Sequence, residues 1–397
     1  MSKALTQSEI FITCPNKCQS YLKDEVEALG FDILDVTQSG VSTRGTMQDC
    51  IRLNFHLRTA GKVLFLLKQF DVASKDDVYK QCYEIPWEEY LLEEKSLTIQ
   101  SVTRHHEIDN TMYTNLLVKD AINDRFKSKG LPRLDTNNFG KEAVVYLYWM
   151  QESATVYLDT SGESLSKHGY RKISFVAPLG ESLAASIIYS TRWKHDEHFI
   201  NPMCGAGTLA IEAALMATNR PNGLLRANYS FMHFRNFDEA YYQSVREAAR
   251  KNVIRSVKGK IIATDFSAEA IENARRNAQT AGVDQFITFE LCRFEDTQVP
   301  EGPGVVILNP PYGLRVGEEK DLEILYKEIG DFFKKKCRGK YGYIFTGNRE
   351  LAKKIGLKAS RRIEFYNATI ECRNLEYELY EGTRNKVPDE GPANTEE

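Results

Sequence analysis

Asn201-Pro202-Met203-Cys204-Gly205-Ala206-Gly207-Thr208 stands between an apolar run, His198-Phe199-Ile200, and a helical pattern from Leu209 to Met216. The run reads as a strand, so the eight residues occupy a strand–loop–helix junction. Two glycines let the backbone turn tightly and pass close to a ligand, while the helix start presents free amides to an anionic group. Residues 201–208 are therefore candidate cofactor contacts.

Outward from this loop, helix and strand patterns alternate from Gly180 onward. Strands are expected at 198–200, 261–265, 287–291, 305–308 and 341–346, with an antiparallel pair, 363–366 and 376–380, at one edge. Such alternation predicts an α/β unit with a largely parallel sheet covered on both faces. Asp265 closes the strand after the loop, where a carboxylate can accept ribose hydroxyls. It lies 60 residues beyond Gly205 rather than the usual distance of about 20. The difference implies an insertion, Thr218 to Ser256, carrying its own helix near Ala240 to Val253. The competing reading of Asp265 is a helix cap, since Ser267 and a helix follow at once.

Val305-Val306-Ile307-Leu308 delivers Asn309-Pro310-Pro311-Tyr312-Gly313 at a strand's carboxyl end, where open α/β sheets place their ligands. Two prolines remove two donors and fix two φ angles, leaving a stiff loop with free carbonyl acceptors. That suits an exocyclic amine on guanine or adenine, whose lone pair is delocalised into the ring. The Asn309 oxygen and the Pro310 carbonyl can each take one N–H, turning the lone pair towards a sulfonium methyl group. Tyr312 is placed to stack on the base. The catalytic candidates are Asn309, Pro310, Pro311 and Tyr312; the bland alternative is a rigid Pro-Pro turn with Tyr312 as packing.

The first half has α+β character, with a strand at Ile10 to Cys14, helices at Tyr21–Leu29, Asn54–Phe70 and Leu116–Phe126, and strands at 96–102, 143–149 and 155–158. The segment 161–178 mixes Gly, Ser and basic residues without periodicity and reads as a linker, and 385–397 reads as a disordered tail. No stretch of the 397 residues approaches the ~18 consecutive apolar positions of a membrane span, and the amino terminus lacks a secretory core, so a cytoplasmic protein is expected. The net charge of -3 gives no global attraction to nucleic acid, so any such partner needs local basic surface. Lys119, Arg125, Lys127, Lys129, Arg133 and Lys141 supply one excess, and Lys167, Arg171 and Lys172 another. Eight scattered cysteines argue against a disulfide framework. Cys14 with Cys18 has no second pair at zinc-ligand spacing, and His195-Asp196-Glu197-His198 reads as a polar lead-in to a strand, so no metal is expected.

These motifs in this order resemble class I methyltransferases with an Asn-Pro-Pro-Tyr loop. Asp159-Thr-Ser-Gly-Glu-Ser-Leu-Ser-Lys-His-Gly-Tyr-Arg171, Ala177-Pro178-Leu179, Leu57-Arg-Thr-Ala60 and Val118-Lys-Asp-Ala121 narrow the likeness to THUMP-domain RNA methyltransferases, similar to bacterial 23S rRNA guanine-N2 methyltransferases and often labelled N6-adenine-specific DNA methylases. The resemblance implies a ferredoxin-like segment (1–60), a THUMP RNA-binding domain (61–160) and a Rossmann-like catalytic domain (179–384). It implies S-adenosyl-L-methionine as cofactor, RNA as substrate, and RNA contacts at Lys119, Lys129, Arg133, Lys167 and Arg171. Phe266, Arg293 and Phe294 would join Asp265 around the cofactor's nucleoside. Departures from the pattern are Asn201 in place of Asp, Leu314 in place of Glu, His168 in place of Arg, and, within 290–296, no Asp at the position expected for the adenine amino group. A DNA adenine-N6 methyltransferase would share the loop, a non-catalytic RNA-binding factor would not bind the cofactor, and a nicotinamide dehydrogenase would leave Asn309 to Tyr312 without a role.

Overall fold

The computed structural model describes residues 6–94, 96–106, 108, 110–135, 142–171, 179–313 and 319–380. The expected tail at 385–397, Lys141, Lys172, Ala177-Pro178 and Leu314 lie outside them.

The amino-terminal half is built on one seven-stranded sheet. Its strands are β1 (Ser8–Thr13), β2 (Ile33–Thr37), β3 (Gly40–Gly45), β4 (Lys62–Asp71), β5 (Ser96–Arg104), β6 (Glu142–Met150) and β7 (Ser153–Asp159), in the order β2-β3-β1-β4-β7-β6-β5. Helices α1 (Gln19–Ala28), α2 (Met47–His56), α3 (Lys75–Glu84) and α4 (Thr111–Ser128) accompany it. β4 pairs with both β1 and β7, so one long strand serves the ferredoxin-like and the THUMP portions.

β4 corrects the sequence reading, which made Asn54 to Phe70 one helix. The helix ends at His56, and Lys62–Asp71 is extended. A continuous apolar run such as Val63-Leu64-Phe65-Leu66-Leu67 satisfies helical and buried-strand patterns equally; pairing with two neighbouring strands decides it.

The carboxy-terminal half carries the expected α/β sheet: β8 (His198–Pro202), β9 (Ile261–Asp265), β10 (Ile287–Leu291), β11 (Gly304–Leu308), β12 (Lys340–Thr346), β13 (Arg361–Asn367) and β14 (Ile370–Leu379). The order is β10-β9-β8-β11-β12-β14-β13, with the first five parallel and β14 antiparallel to both neighbours. The order reverses between β8 and β11, where open parallel sheets open a ligand crevice. Helices α5 (Glu181–Tyr189), α6 (Thr208–Ala217), α7 (Glu239–Lys251), α8 (Ala268–Ala281), α9 (Glu319–Lys336) and α10 (Arg349–Lys353) complete the domain. No described helix is long and apolar enough to cross a membrane.

The insertion after α6 packs away from its own sheet. Tyr229, Phe231, Phe234 and Tyr242 are buried in the same core as Phe55, Trp87 and Trp149 of the first half. Leu91 and Phe234 form a β-bridge, and Ser230 Oγ accepts from the Val144 amide at 2.8 Å. The described part of the expected linker, 161–171, is likewise built into the seam. His168 Nδ1 lies 2.7 Å from Glu212 on α6, and Nε2 lies 2.9 Å from the Arg58 carbonyl. Since a carbonyl can only accept, Nε2 carries a proton. Tyr170 donates to the same Glu212 oxygen at 2.8 Å, and the Arg58 guanidinium reaches Asn222 and the carbonyls of Leu215 and Arg220.

Candidate active site

β8 ends in Asn201 and Pro202, both buried. The Asn201 amide nitrogen donates to the Ile307 carbonyl at 2.9 Å, tying this strand end to β11. Its oxygen is buried with no hydrogen-bond partner among the described residues. Met203 is held at φ +56°, Gly205 at +55° and Gly207 at +81°. A left-handed Met is a strained position of the kind that collects at ligand loops. At Gly207 the tight approach is visible: a Cβ there would stand 2.8 Å from Ala274 Cβ, so only glycine lets α6 start against α8. Cys204 donates its amide to the Thr264 carbonyl at 2.9 Å, while Ala206 and Thr208 are buried at the helix start.

Asp265 faces this loop. Oδ2 accepts from the Gly205 amide and Oδ1 from the Ser267 amide, each at 2.9 Å, which leaves further lone pairs on both oxygens. Ser267 is the cap of α8, through its own side chain to Ala270 N, so Asp265 does not fill that role. Phe266 is 73% exposed and Leu291, which pairs with Asp265, is 58% exposed. Two uncovered apolar side chains beside a buried carboxylate make a platform suited to a flat heterocycle. Arg293 is exposed and bound to Glu295. Phe294, expected beside it, is instead buried in the core, edge-on to Phe332 at 5.8 Å.

On β11 the strand end places Asn309 next to the Asn201 tether. Asn309 Oδ1 is buried and has no hydrogen-bond partner among the described residues. Pro310 is buried and Pro311 exposed. Tyr312 is half-buried and held from two directions: its hydroxyl accepts from Asn367 Nδ2 at 3.0 Å, and its carbonyl from Asn348 Nδ2 at 3.4 Å. Asn348 also caps α10 through its oxygen. Burial pushes the Tyr312 phenol above its ordinary value, so it stays protonated at neutral pH. Neither Asn348 nor Asn367 was anticipated; the only local sign was a cap residue before Arg349-Glu350.

Arg171 corrects another expectation. Rather than facing RNA it is largely buried beside the glycine loop, donating to the Leu179 carbonyl at 2.6 Å and Thr208 Oγ1 at 3.0 Å, with Glu181 at 3.7 Å. A polar cradle and an acid hold the cation there. Of the other basic candidates, Lys129 is exposed at the end of α4, Lys119 is half-exposed, Arg133 lies 3.6 Å from Asp120, and Lys167 is 3.2 Å from Glu163. Arg125 is taken up by Glu88 at 2.7 Å. Burial pushes the Cys14 and Cys18 thiols up to about 12 and 11, which keeps both protonated, and His198 Nδ1 accepts from the Lys260 amide.

Residues 168–376 match the RMKL-like, methyltransferase domain, residues 9–64 the RlmL ferredoxin-like domain and residues 72–159 the THUMP domain. The Ribosomal RNA large subunit methyltransferase K/L of Syntrophotalea carbinolica (strain DSM 2380 / NBRC 103641 / GraBd1) is 34% identical over 383 residues, covering 94% of this chain and 54% of that protein. The chain thus spans about half the length of the curated relatives it matches. Among solved structures, SMU.472 complexed with SAH has a TM-score of 0.86 at 26% identity, covering 95% of this chain and 99% of that one. A predicted N6-adenine-specific DNA methylase from Listeria monocytogenes str. 4b F2365 has a TM-score of 0.85 at 27% identity, covering 94% and 97%. The catalytic match alone takes in more than half of the chain, which belongs to the RMKL-like methyltransferase family, with RlmL ferredoxin-like and THUMP domains ahead of the methyltransferase domain.

Proposed function

We propose that the protein is an S-adenosyl-L-methionine-dependent RNA methyltransferase acting on an exocyclic base amine, guanine N2 of large-subunit ribosomal RNA. The observation that carries this is a pair of buried, unpaired acceptors on adjacent strand ends, Asn201 Oδ1 and Asn309 Oδ1. A buried acceptor without a donor costs about 1–3 kcal/mol, so two at one crevice mark places where ligand donors belong. The Asn201 oxygen fits the methionine ammonium, the Asp265 carboxylate the ribose hydroxyls, and Phe266 with Leu291 the adenine. When bound, the cofactor supplies an electrophilic methyl group on sulfur.

Asn309 and the Pro310 carbonyl take the two amine hydrogens and orient the nitrogen lone pair. Tyr312, fixed by Asn367 and Asn348, gives the base its flat support. The amine loses its surplus proton after transfer, when the attached methyl has made the nitrogen cationic and strongly acidic, so solvent suffices as acceptor. Positioning supplies the rate. An rRNA substrate implies a cytoplasmic site of action.

The test is titration calorimetry with S-adenosylmethionine followed by mass-spectrometric nucleoside mapping of rRNA fragments, and of duplex DNA, after incubation with enzyme. N2-methylguanosine in RNA supports the reading; N6-methyladenosine instead would redirect it, since the loop accepts either amine. Phe266→Ala should weaken cofactor binding about tenfold, the loss of one stacking face worth about 1–3 kcal/mol; unchanged affinity would remove Phe266 from the site. With no titrating base at the amine and a Tyr312 phenol that ionises only above its usual range, kcat should stay flat from about pH 7 to 9. A tenfold rise per pH unit across that window would instead require a general base.

A further inference from the structure

A cleft of about 440 Å³ lies between α10 and the β13–β14 hairpin. Arg349, Lys353, Lys358, Arg362 and Arg373 line it without any acidic residue, over a floor that includes Ala359, Leu375 and Tyr377. Glu371 engages Arg349 and stands 3.3 Å from Arg373, and Glu350 holds Lys353 at 2.7 Å. Lys358 and Arg362 have no acidic partner among the described residues, and the Arg373 Nε is buried without a hydrogen-bond partner among them. Thr346 and Asn348 also line the cleft. Thr346 closes β12, the parallel neighbour of the strand that delivers Asn309, and Asn348 is the residue that donates to the Tyr312 carbonyl. The cleft therefore adjoins the anchor of the catalytic loop.

We propose that this cleft holds a nucleotide of the substrate strand next to the modified one, its base on the Leu375–Tyr377 floor and its phosphodiester against Lys358 and Arg362. An apolar floor under a cationic rim matches an unstacked base joined to an anionic backbone and repels a cation. Once the target base is taken out of its stack, the strand must be splayed on at least one side, and this is the pocket that the loop's own anchor opens onto. The proposal rests on the RNA reading above.

The test compares wild type with Lys358→Ala/Arg362→Ala, and with the charge-keeping Lys358→Arg/Arg362→Lys, in methyl transfer to an rRNA fragment and in RNA filter binding across KCl concentrations. Cofactor affinity by calorimetry is the folding control. KM for RNA should rise about tenfold in the alanine variant, with a smaller effect on kcat. The slope of log Kd against log salt should fall by about 0.7, the value for one lost phosphate contact on single-stranded RNA. The charge-keeping variant should recover most of both. A wild-type KM and salt slope in an alanine variant that binds cofactor normally would overturn the cleft proposal and leave methyl transfer standing. If wild-type protein binds cofactor but neither binds nor methylates RNA, both readings fall. A free mononucleotide that binds the cleft without competing with RNA would overturn the assignment to the substrate strand.

Discussion

Asn309→Ala should lower the rate of methyl transfer by about 10³-fold in single-turnover assays while cofactor affinity stays within about twofold. The side-chain oxygen is buried and unpaired, aimed from a strand end that two prolines stiffen, so the substrate amine meets an acceptor that needs no reorganisation. Loss of one preorganised polar contact of this kind costs about 10²–10³ in rate, and misorientation of the lone pair adds to it. The cofactor contacts proposed above sit on the neighbouring loop and on β9, where Asp265 is held by the Gly205 and Ser267 amides and is untouched by the change. Asn309→Asp keeps an acceptor oxygen and should retain more activity than the alanine variant. Equal loss of binding and transfer in Asn309→Ala would place the residue in the cofactor site.

Glu212→Ala should be the most destabilising single change at the seam, by about 3–5 kcal/mol, the range for removing one member of a buried paired set. Glu212 is fully buried on α6, beside His168 at 2.7 Å and accepting from Tyr170 at 2.8 Å. Without it an imidazole nitrogen and a phenol hydroxyl are left in an apolar seam with no water to turn to. Since α6 begins at Thr208 with Gly207 as its cap, disorder introduced at Glu212 is expected to reach the proposed cofactor loop, so cofactor binding should weaken as well. Thermal melting with and without S-adenosylmethionine checks this; a melting temperature within a degree of wild type would show that the seam repacks. Glu212→Gln keeps an acceptor and should lose less.

The parts legible in the sequence were those whose chemistry is local. Gly207 needs φ near +81° and no Cβ, Asn309-Pro310-Pro311 stiffens itself, and the strand ahead of Asp265 is one apolar run. Each announces itself within a few residues, and the parallel sheet follows from their alternation with helices. What was hidden depends on partners far along the chain. Arg171 has the same formal charge whether it faces solvent or Glu181, and only folding brings Thr208 to it. Phe294 looked like a ring beside a ligand loop, but Phe332 claims it. Tyr312 is anchored by Asn348 and Asn367, 36 and 55 residues away. The run at Val63 to Leu67 carried no periodicity that could separate strand from helix, and β1 and β7 settled it.

The insertion after α6 bears on how this protein can be taken apart. Tyr229, Phe231, Phe234 and Tyr242 are encoded within the catalytic half yet complete the interior of the other. A cut near residue 179 therefore yields no two self-sufficient fragments: the amino-terminal piece lacks part of its own interior, and the carboxy-terminal piece displays an aromatic surface meant for its missing counterpart. The halves are interlocked parts rather than beads on a string, and they would regain soluble form only when supplied together.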